Sequence, residues 1–134
     1  MTTAREFHIG DILSVTGEAL VSPRHINGVA DLLAFLTDDD TLMTHQLPRV
    51  AREAAPFLRE QFPDLNGIEF PTGIIPAGAT MDEAKVAVMG WLDTVVAEHG
   101  ETRVVARMPA EHHARIGPIN EFLMMRGDTN VKGD

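Results

Sequence analysis

The chain has no cysteine among its 134 residues, so disulfides, thiolate zinc sites and a cysteine nucleophile are excluded. Tyrosine is absent too and tryptophan occurs once, leaving little from which to build aromatic stacking platforms for single-stranded nucleic acid. Basic side chains are scarce: eleven stand against twenty acidic ones, a net charge of −9. The excess is spread along the whole chain. Phosphate contacts need a clustered basic face, so the balance argues against nucleic acid as a direct ligand and suits a basic partner surface. No apolar run approaches the roughly 18–20 residues that cross a bilayer, and the N-terminus has no signal-peptide apolar segment. The expected location is therefore cytoplasmic, with no membrane contact. Internal repeats, a P-loop, a dinucleotide fingerprint, a nucleophile elbow and the helical H-E-x-x-H spacing are all missing. No cofactor is implied, and catalysis is not supported by any motif.

What is present reads as one α+β domain spanning 1–134, with residues 1–6 and 127–134 as loose ends. Its length and its 44% apolar content suffice for a core without metal or disulfide staples. Phe7 and Ile9 flank His8 in alternation, as a short edge strand would. Asp11 sits where an N-cap belongs, and Gly17 suits a left-handed stop, predicting a helix over about 11–16. Ser22-Pro23 predicts the start of a second helix, with Ile26, Val29, Leu33 and Leu36 as its apolar stripe and Gly28 at a close approach. Pro48 suits the first turn of a third, which Pro56 should kink. Thr80 and Glu83 form a capping box for a fourth, in which Ala84, Val88, Trp91, Leu92 and Val95 make the core stripe and Gly100 the end. Gly117-Pro118 starts a last helix whose Ile119, Phe122, Leu123 and Met125 should pack. The resulting expectation is four to five helices with a two- or three-stranded sheet, its strands near 67–70 and 102–108. In the second strand Val104, Ala106 and Met108 point inward and the arginines outward.

Three groups of residues could carry chemistry. His45, Gln46 and Arg49 surround the start of the third helix and could form an anion or nucleotide site, since an arginine there is awkward unless a carboxylate or other anion answers it. The alternative is that His45 and Gln46 bond nearby backbone while Arg49 pairs with Glu53. Asp38, Asp39 and Asp40 suggest a divalent cation or a basic partner, but they lack the calcium-loop spacing and read as a solvated loop. Glu111, His112 and His113 are suitable metal ligands. Neighbours in extended backbone face opposite ways, however, so both histidines would not easily share one ion.

The string Gly10-Asp11-Ile12-Leu13-Ser14-Val15-Thr16-Gly17, with Ser22, 26–35 and Met43-Thr44-His45-Gln46-Leu47-Pro48-Arg49, resembles a small phage and prophage family of unknown function. In that family a D-I/V-L-S…T-G segment precedes T-H-Q-L-P-R and a helix ending near Q-x-P-x-L, here Gln61 to Leu65. The resemblance covers about the first half of the chain, with looser similarity at Pro118, Glu121 and Leu123. It implies a phage-encoded protein acting inside a bacterial cell, and brings no known activity and no catalytic residues.

The expected function is accordingly a non-enzymatic accessory protein that binds a host protein or ribonucleoprotein complex, for instance as an inhibitor of a CRISPR surveillance complex. Spread carboxylates such as Asp38, Asp39 and Asp40 would meet a basic groove. One alternative is a small-ligand or metal-dependent enzyme centred on His45, Arg49, His112 and His113. A homodimer or other homo-oligomeric module is the other.

Overall fold

The computed structural model describes residues 4–17 and 20–125. Among them are five α-helices and one two-stranded antiparallel sheet, an α+β arrangement. The expected end at 127–134 lies outside the described residues.

The sheet pairs β1 (Ala4–His8) with β2 (Thr102–Ala106), in a register that sets Arg5 opposite Val105 and Phe7 opposite Arg103. Residues 4–6, expected in a loose arm, are thus held by the opposite end of the chain. The strand expected near 67–70 does not form. That segment follows the turn at Pro63–Leu65 and lays Phe70 edge-on against Trp91, with centroids 5.3 Å apart.

The facing of β2 is the reverse of the expected one. Val105 is fully buried, Val104 is 63% exposed, and Met108 is buried only because the strand has ended. Arg103 and Arg107 share the inward row with Val105. Their stems cover aromatic rings, Arg103 over Phe62 and Arg107 over Phe35, with guanidinium carbons 5.8 and 4.8 Å from the ring centroids. An arginine can lie on an apolar face while its head finds acceptors. Here these are Asp64 and the His99 carbonyl for Arg103, and the Phe35 carbonyl for Arg107.

The core lies among α1 (Ile9–Thr16), α2 (Ile26–Thr37) and α3 (Leu47–Gln61), where Ile9, Ile12, Leu32, Leu33, Leu36, Val50 and Leu58 are fully buried. His8, not Asp11, caps α1, its Nδ1 accepting from the Gly10 amide at 2.9 Å. Gly17 ends α1 as expected, but at φ −102°, so no left-handed turn is needed. Ser22-Pro23 leads into a turn instead of a helix, and α2 begins only at Ile26, after His25 at φ 57°. Its stripe is Val29, Leu32, Leu33, Phe35 and Leu36, while Ile26 is 40% exposed. α3 starts with Pro48 in its first turn and runs through Pro56 without a break. Pro56 is exposed, so the donor it lacks is missing from the solvent side.

Helix α4 (Met81–His99) carries the expected capping box, with Thr80 N–H to Glu83 at 2.8 Å and the reciprocal bond at 3.1 Å. Gly100 ends it at φ 94°, where glycine is favoured. Of its expected stripe only Leu92 and Val95 are buried; Ala84, Val88 and Trp91 are half-buried. Helix α5 (Pro118–Met125) begins where Gly117-Pro118 predicted, but inverts the expected packing. Ile119, Phe122, Met124 and Met125 are exposed, Leu123 is half-buried, and the buried residue is Glu121. No described helix is long and apolar enough to cross a membrane.

Gly28 shows how tightly α1 and α2 meet. A Cβ there would lie 2.2 Å from Ser22 Oγ and 2.3 Å from Asp11 Oδ1, both buried and bonded to each other. Gly90, in the middle of α4, has open space around it. Gly28→Ala should therefore lower stability by about 1–3 kcal/mol through overpacking, although alanine is the better helix former. Gly90→Ala should raise it by up to about 1 kcal/mol. Urea unfolding of the two variants measures this contrast, and a neutral Gly28→Ala would show that the approach is not a close one.

Candidate functional site

Some of the polar residues that sequence singles out, His45, Gln46, Arg49, Asp39 and His113, gather where α3 meets the segment 113–121. Arg49, in the first turn of α3, donates from Nε to Glu121 Oε2 at 2.7 Å and from Nη2 to Oε1 at 2.8 Å, a two-point clamp. Its third nitrogen donates to Glu53 Oε2 at 2.5 Å and to the Ala114 carbonyl at 3.0 Å. The expected Arg49–Glu53 pair is therefore present. The anion that an arginine at a helix start calls for comes from α5, within the same chain.

Gln46 is 1% exposed and completes the clamp. Its amide nitrogen donates to Glu121 Oε1 and to the Ile116 carbonyl, both at 2.9 Å, and its oxygen accepts from the Met43 amide at 2.8 Å. His45 places Nε2 2.9 Å from the Pro118 carbonyl and its ring edge-on to Phe122. Both residues bond backbone, as the structural alternative anticipated, but mostly backbone about 70 residues away in sequence. Hydrogen bonds from Arg49 above all, and from Gln46, hold the Glu121 carboxyl below its usual 4.5 against the opposing push of burial.

A second buried centre adjoins the first through Glu53. The His113 side chain is 2% exposed, with Nδ1 2.6 Å from Glu53 Oε1 and Nε2 3.0 Å from Asp39 Oδ2. The two carboxylates bond opposite edges of one ring and do not converge on a point. Among the described residues no group of three or more His, Asp or Glu side chains is arranged to hold a metal ion. His112 and Glu111 are exposed, and the His112 ring stands edge-on to Phe57 at 6.4 Å.

The three aspartates divide. Asp38, at φ 52°, ends α2, and its exposed carboxylate lies 3.6 Å from Arg107. Asp40 is exposed. Asp39, expected in a solvated loop, is 4% exposed. It accepts from the Thr41 hydroxyl at 2.6 Å and the Thr41 amide at 3.0 Å. Burial pushes its carboxyl up. The Thr41 hydroxyl, His113, the Thr41 amide and the Arg115 charge together outweigh that and bring it from 3.8 down to about 2.

A third polar centre explains the G-D-I-L-S string. Asp11 is fully buried in the first turn of α1, accepting from the Ser22 hydroxyl and from Arg24 at 3.2 Å. The Ser14 hydroxyl donates to the Gly10 carbonyl and accepts from the Val21 amide, at 2.8 and 2.9 Å, which fixes the return of the chain after α1.

Residues 7–68 match the model of a domain of unknown function (DUF7736). No curated protein and no solved structure matches the chain. The DUF7736 segment comprises most of the core and the Asp11 centre. It also supplies one side of each of the other two centres, Gln46 with Arg49 and Asp39 with Glu53. The opposite side, His113 and Glu121, lies beyond it.

Sequence reasoning named Asp39 but missed its burial against His113, and it missed Glu53's link to His113 and, above all, Glu121. A carboxylate in the first turn of a helix is ordinary, so Glu121 gave no sign that it would be buried. The available clue was Arg49, a cation at a helix start whose neighbour Glu53 takes up one guanidinium nitrogen and leaves the others for a second anion.

Two outcomes follow. Removing one partner of a largely buried ion pair leaves the other uncompensated. Glu121→Gln and Arg49→Ala should thus each cost about 3 kcal/mol in urea unfolding, with coupling above about 1 kcal/mol in the double mutant. A carboxyl depressed by folding stabilises the native state above its unfolded pKa and loses that contribution as pH falls through its folded value. For Asp39 the window runs from about 4 down to about 2, and the loss is on the order of 2 kcal/mol. Asp39→Asn should flatten the decline in unfolding free energy across that window, as measured by denaturant titration at several pH values.

Proposed function

We propose that this chain is a non-enzymatic accessory protein, of phage or prophage origin, that binds a host protein or ribonucleoprotein complex in the bacterial cytoplasm. Its most specific form would be an inhibitor of a defence system such as a CRISPR surveillance complex. One observation carries the non-enzymatic reading: the groups best suited to chemistry are occupied inside the protein. Arg49 is bound by Glu121, Glu53 and a carbonyl, and both ring nitrogens of His113 face carboxylates. Asp39 lies in the same buried network, so it leaves the set of partner-facing residues. The acidic surface that remains includes Asp40, Glu60, Glu69, Asp82, Asp93 and Glu111, all exposed. Such a surface steers a basic partner over long range, and salt screens the attraction.

The tagged chain should retain a partner from host lysate at low salt and lose most of it at high salt. Charge reversal of Asp40, Asp82 and Asp93 to lysine should weaken retention several-fold without unfolding the protein. No retained partner at low salt would count heavily against the proposal.

The exposed apolar side chains favour a homo-oligomer as the second reading. Ile119 and Met125 on α5 are 76% and 63% exposed, and Met81 and Val86 on α4 are 87% and 73% exposed. Apolar side chains this exposed are what a self-association surface would bury. Light scattering across concentration should then give a mass that rises to a multiple of 14.6 kDa, and a strict monomer ends this reading.

A further inference from the structure

A groove of about 710 Å³ runs between α1, the start of α2 and α3, within the size range of small-ligand sites. Its walls include Leu20, Ile26, Val29, Leu47 and Ala51, and no aromatic side chain lines it. Leu20 and Ile26 keep 49% and 40% of their surface in water, although both stand on the wall of a concave site.

The rim carries two arginines of different status. Arg59 caps the end of α1 by donating to the Thr16 carbonyl at 2.6 Å. Arg52, two turns earlier on the same helix, makes no hydrogen bond, ion pair or ring contact among the described residues, alone in this among the described arginines. In a chain of net charge −9, with every other described guanidinium engaged, an unengaged one beside an apolar groove is a charge left for something outside the protein.

We infer that this groove binds an aliphatic monocarboxylate, its chain along Leu20, Ile26, Val29 and Ala51 and its carboxylate on Arg52. Each part of that chemistry follows from the lining. One guanidinium balances one negative charge and offers two parallel donors to a carboxylate. A dianionic phosphate would face the repulsion of the acidic chain with a single cation to offset it. Without aromatic faces the walls provide no stacking, so a flexible alkyl chain is the complement. Among the described residues, the free polar groups of the lining, Arg52 and the exposed Thr44 hydroxyl, are too few to satisfy the backbone of an extended peptide. The inference does not depend on the macromolecular partner proposed above.

Decanoate, below its aggregation concentration, is the probe, titrated calorimetrically into the full chain. It should bind saturably at one site, and decyltrimethylammonium should not. Arg52→Gln removes a side chain with no internal partner, so its urea midpoint should stay unchanged while decanoate affinity falls roughly tenfold or more. Ala51→Phe fills the floor and should abolish binding in a protein whose circular dichroism is preserved. The assignment is overturned if decanoate does not saturate the wild type, if Arg52→Gln binds it equally well, or if decyltrimethylammonium binds as tightly. Capture of the protein on phosphatidylglycerol vesicles without binding of free decanoate would make the groove a lipid-surface contact, and also overturns it.

Discussion

The last part of the described chain depends on one buried ion pair. Helix α5 does not dock through an apolar stripe; it turns Glu121 inward and leaves Ile119 and Met125 in water. Arg49 and Gln46 receive that carboxylate, and both of its oxygens are bonded. Taking charges out of water is expensive, and a buried pair compensates only when geometry and further hydrogen bonds satisfy the remaining groups. Here Glu53, the Ala114 carbonyl and the Gln46 amide do so. A contact of this kind specifies position more sharply than hydrophobic burial does, because a carboxylate one helical position away could not be received in the same way. The residues around the third helix's start serve less as a site for a ligand than as the socket into which the rest of the chain fits.

Much of this architecture was legible in the sequence where local chemistry decides. The Thr80–Glu83 box, Pro48 and Pro118 in first helical turns and the stop at Gly100 each depend on residues within a few positions, and each was found as expected. Reading failed where one local signal competed with another. Ser22-Pro23 has the makings of a helix start, yet the Ser22 hydroxyl is taken by Asp11, and α2 waits until Ile26. The same carboxylate that looked like an N-cap is a buried acceptor, and His8 caps in its place. Nothing in either stretch alone shows which of the two roles will win.

Strand β2 failed for a different reason. Alternation was present, but the rule that arginine faces out was misplaced. Phe35 and Phe62 provide ring surfaces for two long stems whose heads reach carbonyls and Asp64. With Arg103 and Arg107 inside, Val104 is turned to water, and one residue of register separates the two arrangements. The polar centres share this non-local character. Asp39 with His113, and Gln46 with Glu121, join residues more than 70 positions apart, and an arginine at a helix start with more donors than Glu53 can take was the one trace they left.

The pairing of β1 with β2 has a bearing on the order in which the molecule can assemble. The strands are separated by roughly a hundred residues, and closing so long a loop comes late because its entropic cost precedes any reward. On a ribosome adding about 5–20 residues per second, β1 emerges some 5–20 seconds before its partner strand exists. During that interval α1, α2 and α3 can already collapse around Leu32, Leu33 and Val50, while residues 4–8 remain an unpaired edge whose backbone groups await β2. The nascent chain therefore passes through a stage with a complete helical core and an open strand at its N-terminal end. At that stage it is most exposed to pairing with another chain.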